Sequence, residues 1–189
     1  MFDKVLIANR GAIAVRIMRT LRQMGIRSVA VYAESDRDSK HLRDADEVYC
    51  LGPGRAADTY LNQAKLIEVI HASGTEAVHP GYGFLSESAD FASLLAKEGI
   101  TFIGPRPEHL LAFGLKHEAR KLATAAGVSL LPGSGIVASA AEAATVAATI
   151  GYPVMLKSTA GGGGIGMTRC MDEPALLAAF ESVARLAQA

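Results

Sequence analysis

A lysine and a run of glycines near position 160 form the pattern in this sequence that is best suited to binding an anion. Lys157 is followed by Ser-Thr-Ala and then by glycines at five positions: Gly161, Gly162, Gly163, Gly164 and Gly166. A backbone without Cβ atoms can approach an anion closely and turn several N–H groups toward it. The lysine adds a positive charge within reach of a phosphate oxygen. The segment therefore predicts a polyphosphate site, with a ligand-free glycine linker as the alternative.

A short run at 152–156 that is typical of a buried strand and a strand-like run at 167–171 flank this loop and predict two strands. Three of the glycines match the dinucleotide pattern G-x-G-x-x-G, but that pattern requires a helix directly after the loop. The P-loop pattern requires a lysine after its glycines, whereas Lys157 precedes them. The segment is therefore interpreted as a glycine-tipped hairpin that closes over phosphates.

A second loop with chemical potential is His79-Pro80-Gly81-Tyr82-Gly83-Phe84-Leu85-Ser86-Glu87, which follows a predicted strand. Ligands of open α/β sheets bind beyond the carboxyl ends of strands. Gly81 and Gly83 would allow close approach, and the ring of Tyr82 could lie against a flat ligand. The alternative is a structural turn in which Tyr82 covers the core. His79 by itself is interpreted as a hydrogen-bonded structural histidine.

Three other patterns favour structural interpretations. The turn Asn9-Arg10-Gly11 has too few glycines for a nucleotide site, even with Glu34 placed like a ribose-binding acid. Asp36-Arg37-Asp38 is typical of surface ion pairs. The basic residues Lys116, Arg120 and Lys121 predict a solvated helix face. The sequence contains no nucleophile triad and no metal-ligand spacing, so we expect no metal site within it.

Composition limits the class of protein. Half of the 189 residues are hydrophobic, and 19 basic residues balance 19 acidic ones. This balance argues against a nucleic-acid partner. No apolar run is long enough for a membrane span, and Cys50 and Cys170 are expected to be free thiols. We therefore expect a cytoplasmic setting with no membrane partner.

The elements that must position these loops alternate between strand and helix over the first hundred residues. Predicted strands lie at 4–8, 28–32, 47–51, 77–79 and 100–103. The first helix is expected to bury Ile13, Ile17, Leu21 and Met24 and to end at Gly25. Continuous apolar strands separated by helices predict an α/β fold, a parallel sheet with helices on both faces.

We expect a domain boundary near residue 113, which gives domains at 1–113 and 114–189. The second domain is expected to contain helices at 116–126, 138–150 and 174–188 together with the hairpin. It has too few elements to close its own nucleotide cleft and is therefore expected to be truncated.

Several motifs in the same order resemble the N-terminal part of the biotin carboxylase family, within the ATP-grasp superfamily. They are Ile7-Ala8-Asn9-Arg10-Gly11 with Ala14 and Arg16, Ser35-Asp36-Arg37-Asp38, Ala45-Asp46-Glu47, Tyr60-Leu61-Asn62, His79 to Glu87, Phe102-Ile103-Gly104-Pro105 and Gly151-Tyr152-Pro153. The resemblance implies a Rossmann-like pre-ATP-grasp domain, followed by an ATP-grasp domain with a glycine-rich lid.

The resemblance also implies site residues and ligands. It places Lys116, Lys157 and the glycines of the lid on ATP, and Tyr82 and Gly83 beside biotin. The implied reaction is attack of bicarbonate on the γ-phosphate of ATP to give carboxyphosphate, which delivers CO2 to the biotin ureido nitrogen. Mg2+ is the implied metal, a biotinyl carrier domain the implied partner, and a homo-oligomer the expected assembly.

Two residues of the lid depart from most family members, which have a glycine in place of Ala160 and an arginine in place of Ile165. These residues, with Gly114-Leu115-Lys116-His117, resemble the urea carboxylase branch or the related guanidine-type carboxylases. Acyl-CoA or pyruvate carboxylases remain the alternative parents.

The catalytic residues of the family are expected beyond Ala189, so this chain alone is predicted to be inactive. The other hypotheses are a different ATP-grasp ligase, such as an amine–carboxylate ligase, and a non-catalytic nucleotide-binding module or remnant.

Overall fold

The computed structural model describes residues 1–158 and 166–186. The chain divides into two compact units, Met1–Leu111 and Ala112–Ala189. Within the described residues, no helix is long and apolar enough to cross a membrane.

The first unit is built on a five-stranded sheet in which every neighbouring pair is parallel. Its strands are β1 (Lys4–Ile7), β2 (Arg27–Tyr32), β3 (Glu47–Cys50), β4 (Ala77–His79) and β5 (Thr101–Phe102). Their order across the sheet is β3-β2-β1-β4-β5. From β1 the chain adds β2 and β3 on one side, and it then returns to add β4 and β5 on the other side. The topological switch point therefore lies between β1 and β4.

The helices that connect the strands are α1 (Gly11–Gln23), α2 (Lys40–Arg43), α3 (Gln63–Ser73) and α4 (Ala89–Lys97). A further helix, α5 (Pro107–Gly114), follows β5 and extends past Leu111, where the first unit ends. Apolar clusters pack on both faces of the sheet. Leu6 and Val78 face α3 and α4 in one cluster, whereas Val5 and Ile7 face α1 in the other. Burial on both faces explains why these strands are continuous apolar runs, and it confirms the α/β fold.

One expectation about α1 is wrong. Ile17 and Leu21 are buried as predicted, but Met24 is 52% exposed. Met24 is the C-cap, and Gly25 with φ +71° turns the chain away immediately afterwards. Helical periodicity therefore does not extend to Met24.

The second unit contains α6 (Lys116–Ala125), α7 (Ala140–Ile150), β6 (Val154–Lys157), β7 (Met167–Cys170) and α8 (Glu173–Leu186). The two strands pair antiparallel, with Val154 opposite Cys170 and Lys157 opposite Met167. Small alanines of α7, the thiol of Cys170 and Leu176 of α8 form the core against which Val154 and Leu156 pack.

Candidate functional site

The hairpin predicted around the glycine loop is present. Its antiparallel ladder continues past β6, because the Ser158 N–H donates to the Gly166 carbonyl at 2.8 Å. A strand, not a helix, begins at Met167 directly after the loop. This strand confirms the sequence interpretation that the G-x-G-x-x-G match is not a dinucleotide site.

Lys157 is the last residue of β6 and lies on its outward face. Val154 and Leu156 point into the core of the second unit, and the two-residue period of a strand turns Met155 and Lys157 the other way, where both are exposed. A positive charge thus stands at the base of the glycine loop.

Gly166 closes the far side of the same loop. It is buried and has φ +70°, a conformation that favours glycine. Gly161, Gly162, Gly163 and Gly164 lie outside the described residues, as do Ala160 and Ile165.

Lys116 is the first residue of α6 and is exposed. The neighbouring basic residues of this helix are engaged in local contacts: Lys121 Nζ pairs with Glu118 Oε1 at 2.8 Å, and Arg120 donates to the Leu131 carbonyl at 3.0 Å. These contacts fit the structural interpretation of Arg120 and Lys121.

The loop after β4 lies at the switch point. Because β1 and β4 are adjacent and parallel, the residues that follow them, Asn9 and Pro80, emerge at the same edge of the sheet. The amide Nδ2 of Asn9 donates to the carbonyls of Pro80 and Tyr82, each at 2.8 Å. This buried side chain therefore ties the two strand ends together.

A second set of contacts joins the same loop to Arg10. Arg10 Nη1 lies 2.8 Å from Asp36 Oδ2, and its guanidinium carbon lies 5.3 Å from the ring centre of Tyr60 and 5.8 Å from that of Phe84. The rings of Tyr60 and Phe84 stack at 5.1 Å. Phe84 has φ +40°, which a residue with a side chain rarely adopts.

The charges in this cluster stabilise one another. Burial opposes ionisation of Asp36, but hydrogen bonds from Tyr60 and Arg10 outweigh it and hold the pKa of Asp36 below its usual range. The hydrogen bond to Asp36 raises the pKa of Arg10, and burial with the same carboxylate raises that of Tyr60.

His79 is hydrogen bonded, as the structural interpretation requires. Its Nδ1 accepts from the Gly81 N–H at 3.0 Å, so that nitrogen carries no proton. Burial lowers the pKa of His79, which favours the neutral ring that this bond needs.

The two residues predicted to contact a flat ligand are presented by this anchored backbone. The side chain of Tyr82 is 65% exposed. Gly83 has φ +66°, and a Cβ placed there would meet nothing within 4 Å. Open space above a glycine is what close approach of a ligand requires.

The candidate residues thus form two groups. Tyr82 and Gly83 lie in the first unit, and Lys116, Lys157 and Gly166 lie in the second. The sequence interpretation missed the cluster of Arg10, Asp36, Tyr60 and Phe84, because it treated Asp36 as part of a surface ion pair. Among the described residues, no group of three or more side chains could hold a metal ion.

Comparison with known proteins matches two family profiles to this chain, one over each of the two compact units. The family profile for the biotin carboxylase N-terminal domain matches residues 1–110. The profile for the carbamoyl-phosphate synthase L chain ATP-binding domain matches residues 116–189.

Two curated relatives are similar over nearly the whole chain. The urea amidolyase of Lachancea kluyveri is 52% identical over 96% of this chain and 10% of its own length. The mitochondrial propionyl-CoA carboxylase alpha chain of Rattus norvegicus is 51% identical over 91% of this chain and 24% of its own length. The chain therefore spans a quarter or less of these two relatives.

A solved structure is similar to this chain in both fold and sequence. The biotin carboxylase domain dimer of the Hydrogenobacter thermophilus 2-oxoglutarate carboxylase, in complex with MgADP, ADP and bicarbonate, superposes with a TM-score of 0.92 at 44% identity. It covers 99% of this chain, which matches 41% of that domain. The profile match over residues 1–110 shows that this chain belongs to the biotin carboxylase family.

Proposed function

We propose that this chain supplies the N-terminal domain and the nucleotide lid of a biotin carboxylase. In the proposed reaction an oxygen of bicarbonate attacks the γ-phosphorus of ATP, the bond to the β-phosphate oxygen breaks, and ADP and carboxyphosphate form. Carboxyphosphate then releases phosphate and CO2, and the biotin ureido nitrogen bonds to CO2 as its proton passes to the released phosphate. The observation that carries this proposal is the β6–β7 hairpin with Lys157 at the base of its glycine loop.

Lys157 is proposed to bind the phosphates of ATP. Its exposed ammonium lies on the opposite side of β6 from the core, so it can approach an anion without disturbing Val154 or Leu156. The backbone N–H groups of Gly161, Gly162, Gly163 and Gly164 are proposed to donate to the same phosphates, and Gly166 to permit the closing turn. A charge positioned in this way offsets the negative charge that develops on the transferring phosphoryl group.

Lys116 is proposed as a second cation for ATP, on the basis of the family resemblance and its exposed position at the start of α6. Mg2+, when bound with ATP, would screen charge between the phosphates. The described residues hold no cluster of ligands for it, so no Mg2+ ligand is proposed among them.

Tyr82 and Gly83 are proposed to form part of the wall that contacts biotin. The support is their place at the switch point of the sheet, where open α/β folds bind ligands. An exposed aromatic ring beside an open glycine suits the planar ureido ring of biotin. A biotinyl carrier domain is the proposed source of that group, and a homo-oligomer is the proposed assembly.

The final carboxyl acceptor is proposed to be urea or a urea-like compound. The support comes from Ala160, Ile165 and the run Gly114-Leu115-Lys116-His117 in the sequence. Overall identity does not discriminate between acceptors, because the urea amidolyase and the propionyl-CoA carboxylase relatives are 52% and 51% identical.

Titration calorimetry with ATP tests the lid. Lys157→Ala is expected to weaken ATP binding at least tenfold, since a charge-assisted contact contributes about 1.5–3 kcal/mol. Lys121→Ala is the matched control, because Lys121 is an exposed lysine of the same unit that pairs with Glu118. Equal affinities in all three proteins would contradict the proposed role of Lys157.

Turnover is a separate test. We propose that residues 1–189 alone do not hydrolyse ATP in response to bicarbonate, whereas a complete protein carrying them does, faster with free biotin present. Bicarbonate-dependent hydrolysis by the 189-residue chain that disappears in Lys157→Ala would overturn the proposed inactivity. A complete protein without biotin-stimulated hydrolysis would overturn the proposed reaction.

A further inference from the structure

The loop 80–86 is fastened by two consecutive residues of the turn between β1 and α1. Asn9 is 4% exposed and uses both N–H groups of its amide on the loop, one on the Pro80 carbonyl and one on the Tyr82 carbonyl. Its Oδ1 accepts from the Arg10 N–H at 2.9 Å. These three bonds fix the orientation of the amide. In a flipped amide, Oδ1 would face the Pro80 and Tyr82 carbonyl oxygens, and Nδ2 would face the Arg10 N–H.

Close packing reinforces the attachment. A Cβ on Gly81 would lie 2.9 Å from Asn9 Nδ2 and 3.0 Å from Ile13 Cγ1. The backbone of the loop therefore rests directly on the side chain that holds it.

Arg10 holds the other side of Tyr82 and Gly83. Its guanidinium lies over the ring of Phe84 and is itself held by Asp36. The backbone of Phe84 is in a strained conformation, which persists only when surrounding contacts outweigh its cost. The stack of Phe84 on the buried Tyr60 and the contact with Arg10 supply those contacts.

We propose that Asn9 and Arg10 are positioning residues for biotin. They fix the backbone on both sides of Tyr82 and Gly83 before the ligand arrives, so that binding need not order the loop. This inference rests on the proposed function, in which Tyr82 and Gly83 contact biotin. Rigidity of this kind strengthens binding by removing the entropic cost of ordering.

Asn9→Asp isolates the donors of Asn9. The substitution keeps the size of the side chain and the acceptor for the Arg10 N–H, but it replaces both N–H donors with an oxygen. Asn62→Asp is the matched control: the Asn62 side chain accepts from the Lys65 N–H at 3.2 Å, and aspartate accepts equally well at a helix N-cap. Arg10→Lys is the second variant, since it keeps the charge beside Asp36 but loses the planar face that stacks on Phe84.

The first measurement is steady-state kinetics of a complete protein carrying these residues, with free biotin as acceptor. Asn9→Asp is expected to raise the KM for biotin about tenfold, as loss of two hydrogen bonds implies, and Arg10→Lys about threefold. The KM for ATP is expected to stay unchanged in both. If Asn9 only stabilised the fold, its loss would not raise the KM for biotin while leaving the KM for ATP unchanged. Equal KM values for biotin in wild type and Asn9→Asp would overturn the proposal. The same rise in Asn62→Asp would also overturn it.

The second measurement is amide hydrogen exchange in the 189-residue chain, which does not depend on activity. Exchange at the Gly81 and Ser86 amides, which donate to His79 Nδ1 and to the Gly83 carbonyl, is expected to accelerate about tenfold in Asn9→Asp and not in Asn62→Asp. Unchanged exchange would overturn the anchoring role. If the wild-type complete protein shows no biotin-dependent hydrolysis, the proposed function fails, and the exchange result still decides whether Asn9 anchors the loop.

Discussion

The hydroxyl of Tyr60 donates to Asp36 Oδ2 at 2.6 Å while it accepts from the Ala33 N–H at 3.1 Å. Tyr60 is only 2% exposed, so its hydroxyl links a carboxylate and a backbone amide inside the first unit. The ring of the same residue supports Phe84. One side chain thus contacts Asp36 through its hydroxyl and Phe84 through its ring, and these are the two residues that Arg10 also contacts.

Tyr60→Phe removes both hydrogen bonds and leaves the ring. Because the Ala33 N–H and Asp36 each lose a partner, we expect the free energy of unfolding to fall by about 2 kcal/mol. Urea denaturation checks this value. Tyr82→Phe, which removes an exposed hydroxyl, serves as the control and should stay within about 0.5 kcal/mol of wild type; equal losses in the two variants would refute the account.

Gly81→Ala and Gly83→Ala should differ in cost although both sites have positive φ. Each alanine is expected to lose about 1–2 kcal/mol through backbone strain. Only Gly81 would also place a Cβ against Asn9 and Ile13, whereas Gly83 has open space. The free energy of unfolding, measured by thermal denaturation, should therefore be at least about 1 kcal/mol lower for Gly81→Ala than for Gly83→Ala. A lower value for Gly83→Ala would contradict the described packing.

Stability should decrease as the solution becomes mildly acidic. Burial lowers the pKa of His41 and of His79 in the folded chain. The unfolded chain, with histidine pKa values of about 6.5, then binds protons that the folded chain does not. The free energy of unfolding should be nearly constant between about pH 7 and 8 and fall as the pH drops through about 6.5 toward the folded-state pKa values of the two histidines.

Urea midpoints measured across this range check the prediction. His41→Gln should reduce the pH dependence, since the buried His41 ring no longer contributes to it. His109→Gln, at an exposed position on α5, is the control and should leave it unchanged. A midpoint that does not respond to pH in the wild-type chain would count against the assignment.

The two thiols should report on different environments. Cys50 is exposed, whereas Cys170 is fully buried in the core of the second unit and burial raises the pKa of its thiol. Because the thiolate is the reactive form, iodoacetamide should modify Cys50 quickly and Cys170 only after unfolding. Mass spectrometry should find one label on the native chain and two in denaturant, and Cys50→Ser should remove the fast label. Rapid double labelling of the native chain would show that the core of the second unit is open.

The sequence predicted the strands, the helices of the second unit and the hairpin because local patterns determine them. The run Lys4–Ile7 is apolar enough to indicate a strand buried on both faces, and the runs around the glycine loop indicate a β pair. The error at Met24 arose where the chain turns after Gln23, since periodicity ends with the helix.

The contacts of Asn9 and Arg10 could not be predicted in the same way. Asn9 meets Pro80 across 71 positions of sequence, and Arg10 meets Asp36 across 26. The first pair follows from the adjacency of β1 and β4, and the second from the adjacency of β1 and β2. Spacing along the chain carries no information about that strand order. The adjacency of β1 and β4 is the signal that would have drawn attention to Asn9.

The central position of β1 also affects how the chain is made. One edge of β1 pairs with β2, which follows within about 20 residues, but the other edge pairs with β4, where Val5 meets Ala77. Ribosomes add roughly 5–20 residues per second, so during synthesis this apolar edge waits for several seconds without its partner. Open edges of this kind recruit other chains. The first unit should therefore depend on chaperones most strongly in the interval between emergence of β2 and emergence of β4.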